Sequence, residues 1–197
     1  MDHADHLSQS IDLAVATIRG ADPARYGDPS PCTEYTVGQV VNHLAFGLLL
    51  AECAATRTEW GADWGTDPRA PFLRDVPESE WADRASVQAE QTARAWAEPD
   101  AWVGDTTFGG APMPAAAVGS MMTGEFVVHS WDVAIATGQP IEVPDGLGAA
   151  AYEGIASMAP AGREAGWIAP EVKVGEDASP FVRTLGVAGR DPNWSAP

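Results

Sequence analysis

The chain has 197 residues, 45% hydrophobic and 20% charged, which suits one ordinary domain, with or without a short appendage, and excludes wholesale disorder. Twenty-eight acidic residues against 11 scattered basic ones give a net charge of −17, so a nucleic-acid partner is not expected. Two cysteines, Cys32 and Cys53, are too few for a disulfide framework and lack metal-type spacing; free thiols in a reducing, cytoplasmic compartment are the expectation.

Met1-Asp2-His3 leads into polar residues, unlike a signal peptide. No stretch approaches the roughly 18 uninterrupted apolar residues of a membrane span. Leu7, Ile11, Ala14, Val15 and Ile18 recur at helical spacing, so residues 5–19 read as an amphipathic helix ended by Gly20. Residues 21–35 carry Pro23, Pro29 and Pro31 and read as a connecting loop. Thr36-Val37-Gly38-Gln39 has the form of a capping box, opening a second helix that runs to about Arg57. His43 lies along the edge of this helix's apolar face, between Val40 and Gly47. His3 and His6 sit near a terminus, which leaves His43 and His129 as the histidines embedded in apolar helical stripes.

Residues 61–77 are rich in Gly, Pro, Asp and Trp and read as irregular; Trp60 and Trp64 either edge a pocket or pack in the core. Ser79 is expected to cap a third helix reaching about Ala97. Residues 102–110 read as a short extended piece. Pro112-Met113-Pro114 follows as the entry to the next helix, with Pro114 in its first turn. That helix closes at Gly138-Gln139-Pro140, a stop signal. Within it Val118, Met122, Glu125, His129, Val133 and Ala136 fall on one stripe. A fifth helix starts at Pro144-Asp145-Gly146 and is expected to end at Pro160. In the tail, residues 169–174 read as extended and residues 179–189 as one short helix. The tail is too small to be an independent domain.

Glu125 and His129 are one helical turn apart on a face that should point inward. Burying either without a partner costs about 2–7 kcal/mol or more. An internal Glu–His hydrogen bond is one answer; a cation held by both is the other. With His43 the set becomes two imidazoles and a carboxylate from two helices, a common arrangement around catalytic zinc that leaves a fourth position open. Imidazole equally suits nickel, copper and iron. Asp132 is either an acceptor that orients His129, and so a candidate catalytic-site residue, or a solvated bundle-edge charge. Trp131 points away from the stripe and reads as packing. Cys32 reads as an activated thiol or as a small buried hydrophobe.

Two blocks carry a family resemblance. Pro31-Cys32-Thr33-Glu34-Tyr35-Thr36-Val37 followed by Asn42-His43-Leu44, and the stretch from Glu125-Phe126-Val127-Val128-His129-Ser130-Trp131-Asp132 to Thr137-Gly138-Gln139-Pro140, resemble the mycothiol-dependent maleylpyruvate isomerase N-terminal family. That family belongs to the DinB/YfiT-like metalloenzymes. Ala169-Pro170-Glu171-Val172 and Gly189-Arg190-Asp191-Pro192 resemble an actinobacterial branch of metal-binding proteins. Tyr35 stands where the family usually has Trp, and Ser130 where it has Gly. The resemblance implies a mainly α, DinB/YfiT-like four-helix bundle over residues 1–160, with a short mixed extension over residues 161–197 packed on it. It implies a divalent metal, zinc foremost and nickel as an option, on His43, Glu125 and His129.

Mycothiol is the implied cosubstrate, with a small electrophile as the second substrate in thiol transfer or isomerisation. The family's isomerases are expected to carry a larger C-terminal domain than this tail. The rival reading is a non-catalytic metal- or small-ligand-binding bundle. No membrane partner is expected, a homodimer is allowed for, and the residues contacting the cosubstrate are unknown.

Overall fold

The computed structural model describes residues 3–61, 64 and 69–196. Part of the 61–77 stretch and the first two residues of the chain lie outside that set. Six α-helices dominate: α1 (His3–Gly20), α2 (Val37–Thr56), α3 (Trp81–Ala97), α4 (Ala115–Thr137), α5 (Asp145–Glu164) and α6 (Pro180–Val187). Helices α1 and α2 lie diagonally, each packed between α3 and α4, which closes a four-helix bundle. Helix α5 covers the outer side of α4, and α6 packs on α5.

Helix α4 therefore has neighbours all round. Of its 23 residues, 17 are buried, including Met121, Val127, Val128 and Trp131 off the expected stripe. The stripe is real, but it is one face of a helix with almost no solvent side. The approach of α5 explains this. A methyl group on Gly154 would stand 2.1 Å from the Ser120 carbonyl oxygen, so α4 and α5 meet backbone to backbone. Phe126, 1% exposed, anchors the bundle side of α4. Burying a side chain of that size contributes about 1.5–3 kcal/mol.

Helix α2 begins with the expected capping box: the Thr36 hydroxyl accepts from Gln39 N, and Thr36 N donates to the Gln39 side chain at 2.8 Å. It is long and apolar enough on average to span a membrane, despite Asn42, His43 and Glu52, yet 61% of that apolar window is buried inside the fold. Three of its carbonyls accept side-chain bonds from α3 and the hairpin. Thr92 Oγ1 binds Leu48 O at 2.9 Å, Trp96 Nε1 binds Ala51 O at 2.9 Å, and Thr106 Oγ1 binds Ala54 O at 2.7 Å. These bonds fix the axial position of the helix that carries His43.

Several local expectations change. Residues 105–114 form a hairpin, β1 (Asp105–Phe108) paired antiparallel with β2 (Ala111–Pro114), so Pro112 and Pro114 are strand residues. Gly109 and Gly110, both at positive φ, supply the tight turn this requires. Pro114 precedes α4 in extended conformation instead of sitting in its first turn. Ser79 lies in a 3₁₀ turn and caps nothing; α3 starts at Trp81 without a side-chain cap. Pro160 does not end α5, which continues to Glu164 with Ala159 and Gly162 buried. One missing hydrogen bond near a helix end is outweighed by that packing. Residues 169–174 form no strand and lie along α6 through Val172 N to Gly186 O, 3.0 Å. The short tail helix is present as α6, capped by Ser179.

Candidate metal centre

The site sits where α2 crosses α4. Their packing brings His43 Nε2 within 3.8 Å of Glu125 Oε2, and the α-helical turn places His129 Nε2 3.4 Å from the same oxygen. The two imidazole rings stand edge to face, 4.7 Å between centres. One nitrogen from each histidine and one carboxylate oxygen thus lie within 4.8 Å of one another. Metal bonds of about 2.0–2.2 Å to such atoms need only a small contraction of this set.

The surroundings are graded. The side chain of His43 is 40% exposed, that of Glu125 26% and that of His129 10%. Solvent reaches the group from the α2 side. Tyr35 flanks that opening, its ring 5.6 Å from the His43 ring. Phe46, one turn along α2, meets Trp64 edge on at 6.2 Å, while Trp60 packs against Phe108 of the hairpin. The loop between α1 and α2 delivers Tyr35 and Cys32 in a fixed shape. Ser30 Oγ donates to Cys32 O and Tyr35 O, and Arg25 ties the loop to α4 through Ala136 O at 2.8 Å.

On the buried side, His129 Nδ1 lies 2.9 Å from Asp132 Oδ2. Asp132 is fully buried and sits on the same helix face one turn on, so it is no bundle-edge charge. An arginine from the C-terminal segment completes the arrangement. Arg190 Nη2 donates to Asp132 Oδ2 at 2.9 Å and Nε to Oδ1 at 3.2 Å. Burial pushes the Asp132 carboxyl up, but Arg190 and the His129 hydrogen bond win and hold it below its ordinary range. An ionised carboxylate only accepts, so His129 donates through Nδ1–H and turns Nε2 toward Glu125 and His43.

Burial also opposes the charges of the facing pair. It is overcome by the two imidazoles facing its carboxylate, His129 ahead of His43, which hold Glu125 well below the carboxylate range. Likewise burial lowers His129, but Asp132 and Glu125 raise it to about 9. This is a compact anionic pocket that attracts positive charge, whether protons or a metal ion.

The sequence reading brings His43, Glu125, His129 and Asp132 together, and all four are adjacent here. Trp131 is buried packing. Cys32 also comes near, its sulfur within 4.8 Å of a His129 nitrogen and an Asp132 oxygen. Burial pushes its thiol up to about 11, against the pull of Arg190, so it is not an activated thiolate. Arg190 joins the site without having been among the residues the sequence suggested for it. Its signal was an arginine between the turn-forming Gly189 and Asp191-Pro192, directly after a short helix.

The sequence profile of the mycothiol maleylpyruvate isomerase N-terminal domain matches residues 7–134. No curated protein matches significantly. Among solved structures, one of the mycothiol-dependent maleylpyruvate isomerase superposes with a TM-score of 0.69 at 15% identity, covering 97% of this chain and 89% of that one. A histidine-to-alanine mutant of the mycothiol-dependent maleylpyruvate isomerase gives a TM-score of 0.60 at 15% identity, with 80% and 68% covered. At this identity the likeness speaks to the fold: a mainly helical, DinB-like bundle.

Proposed function

Because the chain belongs to the mycothiol maleylpyruvate isomerase N-terminal domain family, we propose that it is a divalent-metal-binding enzyme that uses a low-molecular-weight thiol such as mycothiol to transfer to, or isomerise, a small electrophile. The observation that carries this reading is the convergence of His43 Nε2, Glu125 Oε2 and His129 Nε2 around one point, with solvent access on the His43 side. Two neutral imidazoles and a carboxylate suit zinc, and nickel is the next choice. A cation held there would supply Lewis acidity and lower the pKa of a thiol at its open position.

The chain's own residues do the rest. Glu125 brings the negative charge that offsets part of a divalent cation. Asp132 keeps His129 in the Nδ1–H tautomer, leaving Nε2 as the donor. His43 sits at the solvent-facing side, so the thiol and electrophile approach past it and past the Tyr35 ring. Helices α1 to α4 act as the catalytic bundle, and α5, α6 and the C-terminal segment that follows them close it from behind. The cellular setting is the cytoplasm, with small molecules as the partners.

Elemental analysis of the purified protein, followed by a thiol-conjugation and isomerisation screen over electrophile classes, tests the reading. One equivalent of metal, lost in His129→Ala, and a thiol-dependent turnover are expected. No metal uptake overturns it outright. Metal uptake with no thiol-dependent reaction in any class leaves the non-catalytic binding bundle as the correct description.

A further inference from the structure

We infer that Arg190 is a positioning residue of this centre, acting on His129 through Asp132, so that the C-terminal segment is part of the site's machinery. The inference rests on the metal reading above and adds to it a residue 58 positions from its partner in sequence.

Arg190 is 8% exposed, an unusual place for a guanidinium. Each of its nitrogens is used: Nε and Nη2 on the two oxygens of Asp132, and Nη1 on Ala188 O at 2.9 Å. The two-point fork fixes the plane of the Asp132 carboxylate, which a lysine's point charge would not do. That plane decides the direction from which Oδ2 receives His129 Nδ1–H. The imidazole orientation, and hence where Nε2 points, follows from it.

The backbone on both sides is built to hold the arginine inward. At the end of α6, Gly189 N donates to Gly186 O and Arg190 N to Leu185 O, the paired bonds of a Schellman stop. Gly189 adopts φ +76°, and a methyl group there would lie 2.7 Å from Ala169 Cβ, so glycine is required on two counts. Beyond it, Asp191 Oδ1 accepts from Asn193 N at 2.9 Å, and Trp194 packs against the main core. The chain reverses direction twice around Arg190 and is pinned at each reversal. A merely space-filling tail needs neither.

Arg190→Lys and Arg190→Gln in the full chain test this. Two readouts are used: Zn²⁺ affinity by chelator competition, and the downfield His129 Nδ1–H proton resonance, recorded with and without metal. In folded variants, checked by circular dichroism, Zn²⁺ affinity should fall about 10–100-fold. The resonance should broaden or shift, with Lys milder than Gln. Affinity within twofold of wild type together with an unchanged resonance would overturn the inference. If Arg190→Gln fails to fold, the lysine variant decides on the same criteria. If wild type takes up no Zn²⁺, the metal reading falls and the metal-free resonance alone judges Arg190: altered supports it, unchanged refutes it.

Discussion

The two imidazoles that face Glu125 are held in opposite ways. His129 is 10% exposed, with Nδ1 fixed by a carboxylate that is itself gripped by an arginine. His43 is 40% exposed and flanked by the Tyr35 ring. One side of the site is a buried polar lock, which can define geometry but tolerates no loss of partner. The other is an open edge, which can admit a ligand and tolerates change. A catalytic centre needs both, since orientation requires burial and turnover requires access.

The largest effect should come from breaking the lock. Asp132→Ala strands the Arg190 guanidinium in the interior and should cost about 3–5 kcal/mol of stability in urea unfolding. His43→Ala, on the open side, should change metal-free stability by less than about 0.5 kcal/mol. Equal losses for the two would erase the asymmetry. Metal affinity should not share it: both His43→Ala and His129→Ala should lower it by more than the roughly 10–100-fold typical of losing an outer partner. The metal-free His43→Ala bundle should remain helical by circular dichroism. Next comes Gly154→Ala, whose added methyl would collide with the Ser120 carbonyl, force α4 and α5 apart and cost about 1–3 kcal/mol.

The metal-free protein should also show the lock in its pH dependence. His129 is raised in the fold to about 9 from an ordinary 6.5. Its contribution to stability is therefore complete below about pH 6.5 and is lost as pH rises through about 9. Glu125 is lowered, so its contribution is present above the ordinary carboxylate value and fades as pH falls further. Thermal melts of the chelated protein should fall between pH 7 and 9.5, and His129→Gln should flatten that slope. The smallest effect is expected from Cys32→Ser. If His43, Glu125 and His129 are the ligands, Zn²⁺ affinity should stay within about twofold; a larger drop would assign the sulfur to the ion instead.

Much of this was legible in residue order. The periodicities of α1, α2 and α4, the capping box at Thr36 and the stop at Gly138 are local signals, and each recurs in the fold. Glu125, His129 and Asp132 share a face through helical geometry alone, without any tertiary information. The Gly109-Gly110 turn was present too, but the prolines beside it disguised a strand. Pro160 misled for the converse reason: its local penalty is real, and packing outweighs it.

What residue order could not supply is distance between remote segments. That His43 meets Glu125 depends on α2 lying beside α4 at one axial height, set by bonds from Thr92, Trp96 and Thr106 to its carbonyls. That Asp132 is buried depends on α5 and the C-terminal turn covering α4, and that it is satisfied there depends on Arg190 arriving from 58 residues away. Helical period alone places side chains on a face. Only the packed fold decides which face is dry, and a charge in a dry place must be paired.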